Sequence, residues 1–162
     1  SSDLNYGHRE GYPMNLRKLL VLDLLNENDQ QRIDGRTRLQ KLVFLAQEET
    51  STDLPEEYTF IPYDYGPFSA NLLHEVDDLK KEGYITERKV DLSDGEKYVY
   101  ELTSAGKRAV SDVRTEFDGD DTGTIKDAAN FTKSMFNDLP ISRLLEYVYN
   151  QYPEYAEQSV IN

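Results

Sequence analysis

The chain of 162 residues contains no cysteine and no tryptophan, and only two histidines and two methionines. Without cysteine there is no disulfide and no thiolate metal centre, so the fold must rest on a packed core. His8 and His74 lie far apart in sequence, which argues against a histidine-rich metal site. Long apolar runs are missing too. Leu19–Leu22 is interrupted by Asp23. That is far short of the ~18 apolar residues of a membrane span and too short for a signal-peptide core. The expectation is a cytoplasmic protein with no membrane segment. Catalytic signatures are also absent: there is no Gly-x-Ser-x-Gly and no Gly-x-x-x-x-Gly-Lys phosphate loop. In so acidic a chain a pair of carboxylates carries little information. No catalytic residue, cofactor or metal is therefore expected.

Positive charge is scarce as well, with 18 basic residues against 31 acidic ones and a formal net charge of -13. One reading is a solvated acidic surface adapted to high salt, a composition compatible with a halophilic source. The other is a surface that binds basic partners or mimics DNA. Charge of this sign opposes non-specific phosphate binding. Molar salt weakens that repulsion, because the Debye length falls to about 3 Å at 1 M.

What is present is helical and strand periodicity in a definite order. Residues 1–13 carry Gly7, Gly11 and Pro13 and read as a flexible arm. Met14 to about Glu27 reads as a helix apolar on most sides, ended by Asn28 and Asp29, and such a helix is normally buried or shared with a partner. After an Asp34–Gly35 turn, Thr37 and Gln40 fit a capping box for a helix to about Glu49. Tyr58–Ile61 is a short strand-prone run, and Ser69 can cap a helix whose end is marked by Gly83. Tyr84–Leu92 and Lys97–Leu102 pair as a hairpin around Ser93–Glu96, and Thr103 caps a helix to about Glu116. Residues 117–124 read as an acidic linker. Residues 125–162 read as a helical extension rich in tyrosine.

Three stretches carry a resemblance: Arg38–Gln47, Phe60–Ser69 centred on Tyr65-Gly66-Pro67, and the helix ending Asp78–Ile85. With them the chain resembles winged-helix proteins of the YwgA-like and Panacea-domain, antitoxin-like kind. The resemblance implies an α+β, mainly helical fold: a winged helix-turn-helix over 14–116 with a small antiparallel sheet and extra C-terminal helices. It implies roles in regulation, toxin neutralisation or mobile-element biology and supplies no catalytic motif.

Arg36, Arg38 and Lys41 form the densest basic group. With Arg32 and Asp34 they make four cations against one acid, and a helix N-terminus there favours a phosphate. The helix from Ser69 would be the recognition helix. It offers Asn71, His74 and Lys81 for contacts, but also Asp77 and Asp78, which repel phosphate. The wing strands add Arg88 and Lys89 on opposite faces, and the wing tip is acidic. Asp118, Asp120, Thr122 and Gly123 follow calcium-loop spacing, but Ala129 occupies the position of the bidentate glutamate. Tyr58, Tyr63, Tyr65 and Phe68 read as core aromatics, or as a partner-binding cluster if exposed. Two functions remain open. One is a homodimeric regulator that binds double-stranded DNA through Arg36, Arg38, Lys41, Asn71, His74, Lys81, Arg88 and Lys89. The other is a protein-interaction module that presents an acidic surface.

Overall fold

The computed structural model describes residues 14–27, 31–51, 53–117 and 119–160. The expected arm, residues 1–13, and the expected helix stop at Asn28 and Asp29 lie outside the described residues. Helix α1, Leu16–Asn26, begins at Asn15, whose side chain accepts the Lys18 N–H at 2.8 Å. Every residue from Leu16 to Leu25 except Arg17 is buried. Elements on all sides supply that cover: α1 packs against α2, α3, α4, α5, β1 and β5.

Two charged side chains complete the cover. Asp23 is fully buried and accepts from Arg114 at 2.7 Å. Burial raises its carboxyl to about 6 although Arg114 opposes the rise. Lys133 of α5 donates to the carbonyls of Leu25 at 3.2 Å and Glu27 at 2.8 Å, satisfying the end of α1.

Strand β1, Arg32–Asp34, leads into the expected Asp34–Gly35 turn and is an element that the sequence pattern does not signal. It pairs antiparallel with β5 and buries Ile33. Helix α2, Arg36–Glu49, then starts two residues earlier than the capping-box reading requires. Gly35 occupies the cap with φ 103° and makes no side-chain cap bond. Thr37 is inside the first turn, and Gln40 is buried instead of reaching back to the cap. The strand-prone run also shifts. The strand β2 is Ile61–Tyr63, paired with β3, Gly66–Phe68, while Tyr58 lies in the core.

Helix α3, Ala70–Lys81, is capped by the Ser69 hydroxyl, which accepts the Leu72 N–H. It ends at Gly83 (φ 80°), with Gly83 N–H bonded to the Lys80 carbonyl and Tyr84 N–H to the Leu79 carbonyl. Strands β4, Ile85–Leu92, and β5, Gly95–Leu102, form the expected hairpin. The sheet order is β1-β5-β4.

Helix α4, Ser104–Glu116, is capped by Thr103. The stretch read as an acidic linker is different: Phe117 is buried in the core, and α5, Gly119–Phe136, begins inside it. Asp118 lies outside the described residues. Asp120 and Thr122 sit on a helix, and Thr122 is buried, so they do not form a calcium loop. Helix α6, Ile141–Gln151, and a 3-10 turn, Pro153–Tyr155, follow. Ile125, Ala128, Ala129, Phe136, Leu144 and Val148 enter the same buried cluster as α1. The result is a mixed α+β architecture, mostly helical, with two small antiparallel sheets.

Two glycines test this packing in opposite directions. A Cβ at Gly106 would lie 2.2 Å from the Tyr84 carbonyl oxygen, which is backbone and cannot swing away. Gly106→Ala is expected to cost about 2–3 kcal/mol by overpacking. Gly123, inside α5, has nothing within 4 Å of such a Cβ. Gly123→Ala is expected to add about 0.5–1 kcal/mol. Urea unfolding of both variants checks the pair.

Candidate functional site

The face that gathers most of the expected site residues is built by the start of α2, the β2–β3 hairpin, α3 and β4–β5. Three buried side chains of α2 position it. Gln40 donates to the Ser69 carbonyl at 3.0 Å and accepts the Ser69 N–H at 2.9 Å. Gln47, two turns on, does the same for Tyr58, at 3.0 and 2.7 Å. Each amide acts like a one-residue strand pairing, so both ends of the segment between them are pinned to α2. Lys41 donates to the Pro67 carbonyl at 2.9 Å and holds β3. Gly66 is needed there: its φ is 91°, and a Cβ would sit 3.1 Å from the Tyr149 ring.

A cavity of about 230 Å³ opens between these elements. Leu72 and Val76 of α3, Phe68 of β3 and Tyr100 of β5 supply its apolar lining, with Gln40 and Lys41 from α2. Its surroundings expose unusually large apolar groups: Tyr63 is 51% exposed, Tyr65 45% and Leu73 43%. Tyr63 and Tyr65 belong to the four aromatics read as core, or as a partner-binding cluster if exposed, and they are exposed. Lys41 is only 2% exposed. Burial lowers its ammonium to about 7, and no neighbouring carboxylate offsets that effect.

The remaining cations are drawn inward or to the side. Glu87 on β4 is their main collector. It accepts from Arg36 Nε at 3.1 Å, from Lys80 at 2.7 Å and from the Tyr100 hydroxyl. Burial would raise this carboxyl, but the three donors hold it at about 2. Arg36 also lies 3.8 Å over the Tyr98 ring. Arg38 donates to the Asp34 carbonyl at 3.2 Å and the Asn137 carbonyl at 3.0 Å. Lys97 and Arg32 both hold Asp34, at 2.9 and 3.0 Å. Arg88 faces Glu101 at 3.6 Å, and Lys89 faces Glu96 at 3.1 Å.

The expected set of eight therefore does not form one basic surface. Asn71, His74 and Lys81 do share an exposed stripe of α3, together with Asp78, which lies 3.8 Å from His74. Arg36 is exposed near α2's start but paired, Arg38 is half-buried, and Lys41 is in the interior. Sequence reasoning missed Glu87 and Tyr100. Glu87 sits on the opposite strand face from Arg88, and that alternation was the only available hint.

The class these features define is the mixed, mainly helical α+β architecture described above. The chain is similar to YwgA of Bacillus subtilis (strain 168), a protein described as uncharacterized. The two are 28% identical over 120 residues, 74% of this chain and 69% of that protein. No family model matches the chain. Among the described residues no helix is long and apolar enough to cross a membrane.

Lys41 makes a stability prediction with a definite sign. Its folded pKa, about 7, lies below the ordinary lysine value of 10.5. Between those values the unfolded chain binds more protons, so the Lys41 contribution to stability improves as pH rises from 7 to 10.5. Below 7 the penalty is constant. Lys41→Met removes the titration. The urea-derived stability advantage of the variant over the parent is expected to be largest at and below pH 7. It should shrink toward pH 10.5 with a limiting slope of about 1.4 kcal/mol per pH unit. A pH-independent difference would show that Lys41 titrates normally.

Proposed function

We propose that this chain is a protein-interaction module on a winged-helix scaffold, and that its acidic surface receives a basic partner. The order α1, β1, α2, α3, β4, β5 with β1 paired to β5 supports the winged-helix reading. The observation that carries the interaction reading is the fate of the cations. Arg36, Arg88 and Lys89 face carboxylates, Arg38 serves backbone carbonyls, and Lys41 is buried. A phosphate would have to displace those partners against a net charge of -13. Exposed Asp91 and Asp94 on and around the wing, with half-exposed Asp78 and exposed Asp77 (3.3 Å from Lys80) on α3, fit a basic partner by charge.

One observation favours a second reading, DNA contact by a homodimer. Asn71, His74 and Lys81 stand exposed on the helix that a winged domain turns toward the major groove. The two readings separate in a paired experiment. Anisotropy of a labelled random-sequence duplex is followed from about 50 mM to about 1 M KCl. No saturable rise is expected. In parallel, a partner is captured from extract of the source cells. Capture is expected to fall at least tenfold for Asp77→Lys with Asp78→Lys and to persist for Lys81→Ala. Saturable duplex binding that weakens with salt and is lost in Lys81→Glu would establish the second reading instead.

A further inference from the structure

Lys41 is the one lysine lining the cavity, and its position is unusual. Its ammonium has three N–H donors, of which one is spent on the Pro67 carbonyl. It makes no ion pair among the described residues, and burial is the sole cause acting on its proton affinity. A buried cation without a counter-charge is costly. Yet an aliphatic residue of similar volume would fill the site at less cost. The neighbouring polar groups cannot supply the counter-charge. Gln40 is neutral, with its amide committed to Ser69, and Arg36 is itself a cation, paired with Glu87. The other titratable groups facing the cavity are Tyr63, Asp64 and Tyr65 from the hairpin and Tyr100 from β5, while α3 contributes only Leu72, Leu73 and Val76. Tyr149 of α6 approaches from behind Gly66. Asp64 is exposed and belongs to the rim.

The size and lining specify the rest. A volume of about 230 Å³ corresponds to about eight waters at ~30 Å³ each, smaller than a drug-sized site. The walls are mostly apolar, with Leu72, Val76 and Phe68 as flat contacts for a ring. We propose that this cavity binds a small organic anion, a single-ring apolar body with one carboxylate, whose charge pairs with Lys41. The carboxylate supplies the counter-ion and the acceptors that the protein withholds, and the ring fills the apolar remainder. This site is independent of the macromolecular partner proposed above, because it rests on Lys41 and not on the surface carboxylates.

The test uses the full chain and two probes of equal ring size, phenylacetate and uncharged 2-phenylethanol. Methyl NMR follows Leu72, Leu73 and Val76 during titration. Phenylacetate is expected to give saturable shifts at millimolar concentration or below and to bind at least tenfold more tightly than the alcohol. In Lys41→Met the tenfold preference should vanish. Absence of saturable shifts with both probes overturns the proposal, and so does a preference that survives in Lys41→Met. A second readout does not depend on that variant folding. The Lys41 Cε resonance of the parent protein should show a titration midpoint that rises by at least one pH unit with saturating phenylacetate. An unmoved midpoint also overturns the proposal.

Discussion

The burial of α1 is the constraint on which the other elements depend. A helix with nine of its eleven residues buried has no solvent side. It cannot be served by one sheet or one partner helix, because an apolar stripe on each flank needs its own cover. The chain meets that demand with elements drawn from along the sequence downstream of α1. Helices α2 and α3 come from the middle, and α5 returns from far downstream. Lys133 belongs to this arrangement. It brings a charge into the interior because the end of α1 is also buried and its carbonyls need donors. The C-terminal helices are thus part of what makes α1 tolerable in water.

Once α1 is enclosed, α2 can serve as a rail for the segment that follows. Gln40 and Gln47 lie seven residues apart and so on one side of the helix. Their amides pin Ser69 and Tyr58, and Lys41 pins Pro67 between them. A segment fixed at both ends by paired backbone bonds can bulge outward without loosening the core. The β2–β3 hairpin is that bulge, and the cavity is the space left between it and α3. The exposed rings of Tyr63 and Tyr65 follow from the same geometry. Two-stranded ribbons have too little area to bury both of their faces.

Helices with long apolar periodicity were legible from residues alone: α1, α3, α4 and the hairpin β4–β5 appear where their patterns place them. The cap at Ser69 and the stop at Gly83 are local chemistry and were legible for that reason. The failures share a cause. Strand β1 is three residues long and exists because β5, more than sixty residues away, offers its edge. Gln40 matched a capping pattern, but two backbone bonds to Ser69 outcompete one bond at a helix end. Residues 119–124 read as a linker because Gly and Asp are poor helix formers. The packing of Phe117, Thr122 and Ile125 overrides that propensity. The basic group around Arg38 was visible as composition only, since where each cation points depends on partners from other elements.

That last point decides how the charge of the molecule works. In a chain with 31 carboxylates and 18 cations, a cation near any carboxylate is more readily paired than free. Each exposed pair contributes little, about 0–1 kcal/mol, so pairing does not hold the fold together. Competition is what matters. A phosphate approaching Arg36 must strip Glu87 of a donor, leaving a half-buried carboxylate less compensated than before. Salt does not solve this, because screening weakens the incoming phosphate and the exposed pairs together. Lys41 is the exception, held away from carboxylates by its own burial. Among the described residues the exposed surface is rich in carboxylates, while Lys41 lines the cavity without a carboxylate partner. The two proposals thus divide by depth: a basic macromolecule at the acidic surface, and a small anion at the buried Lys41.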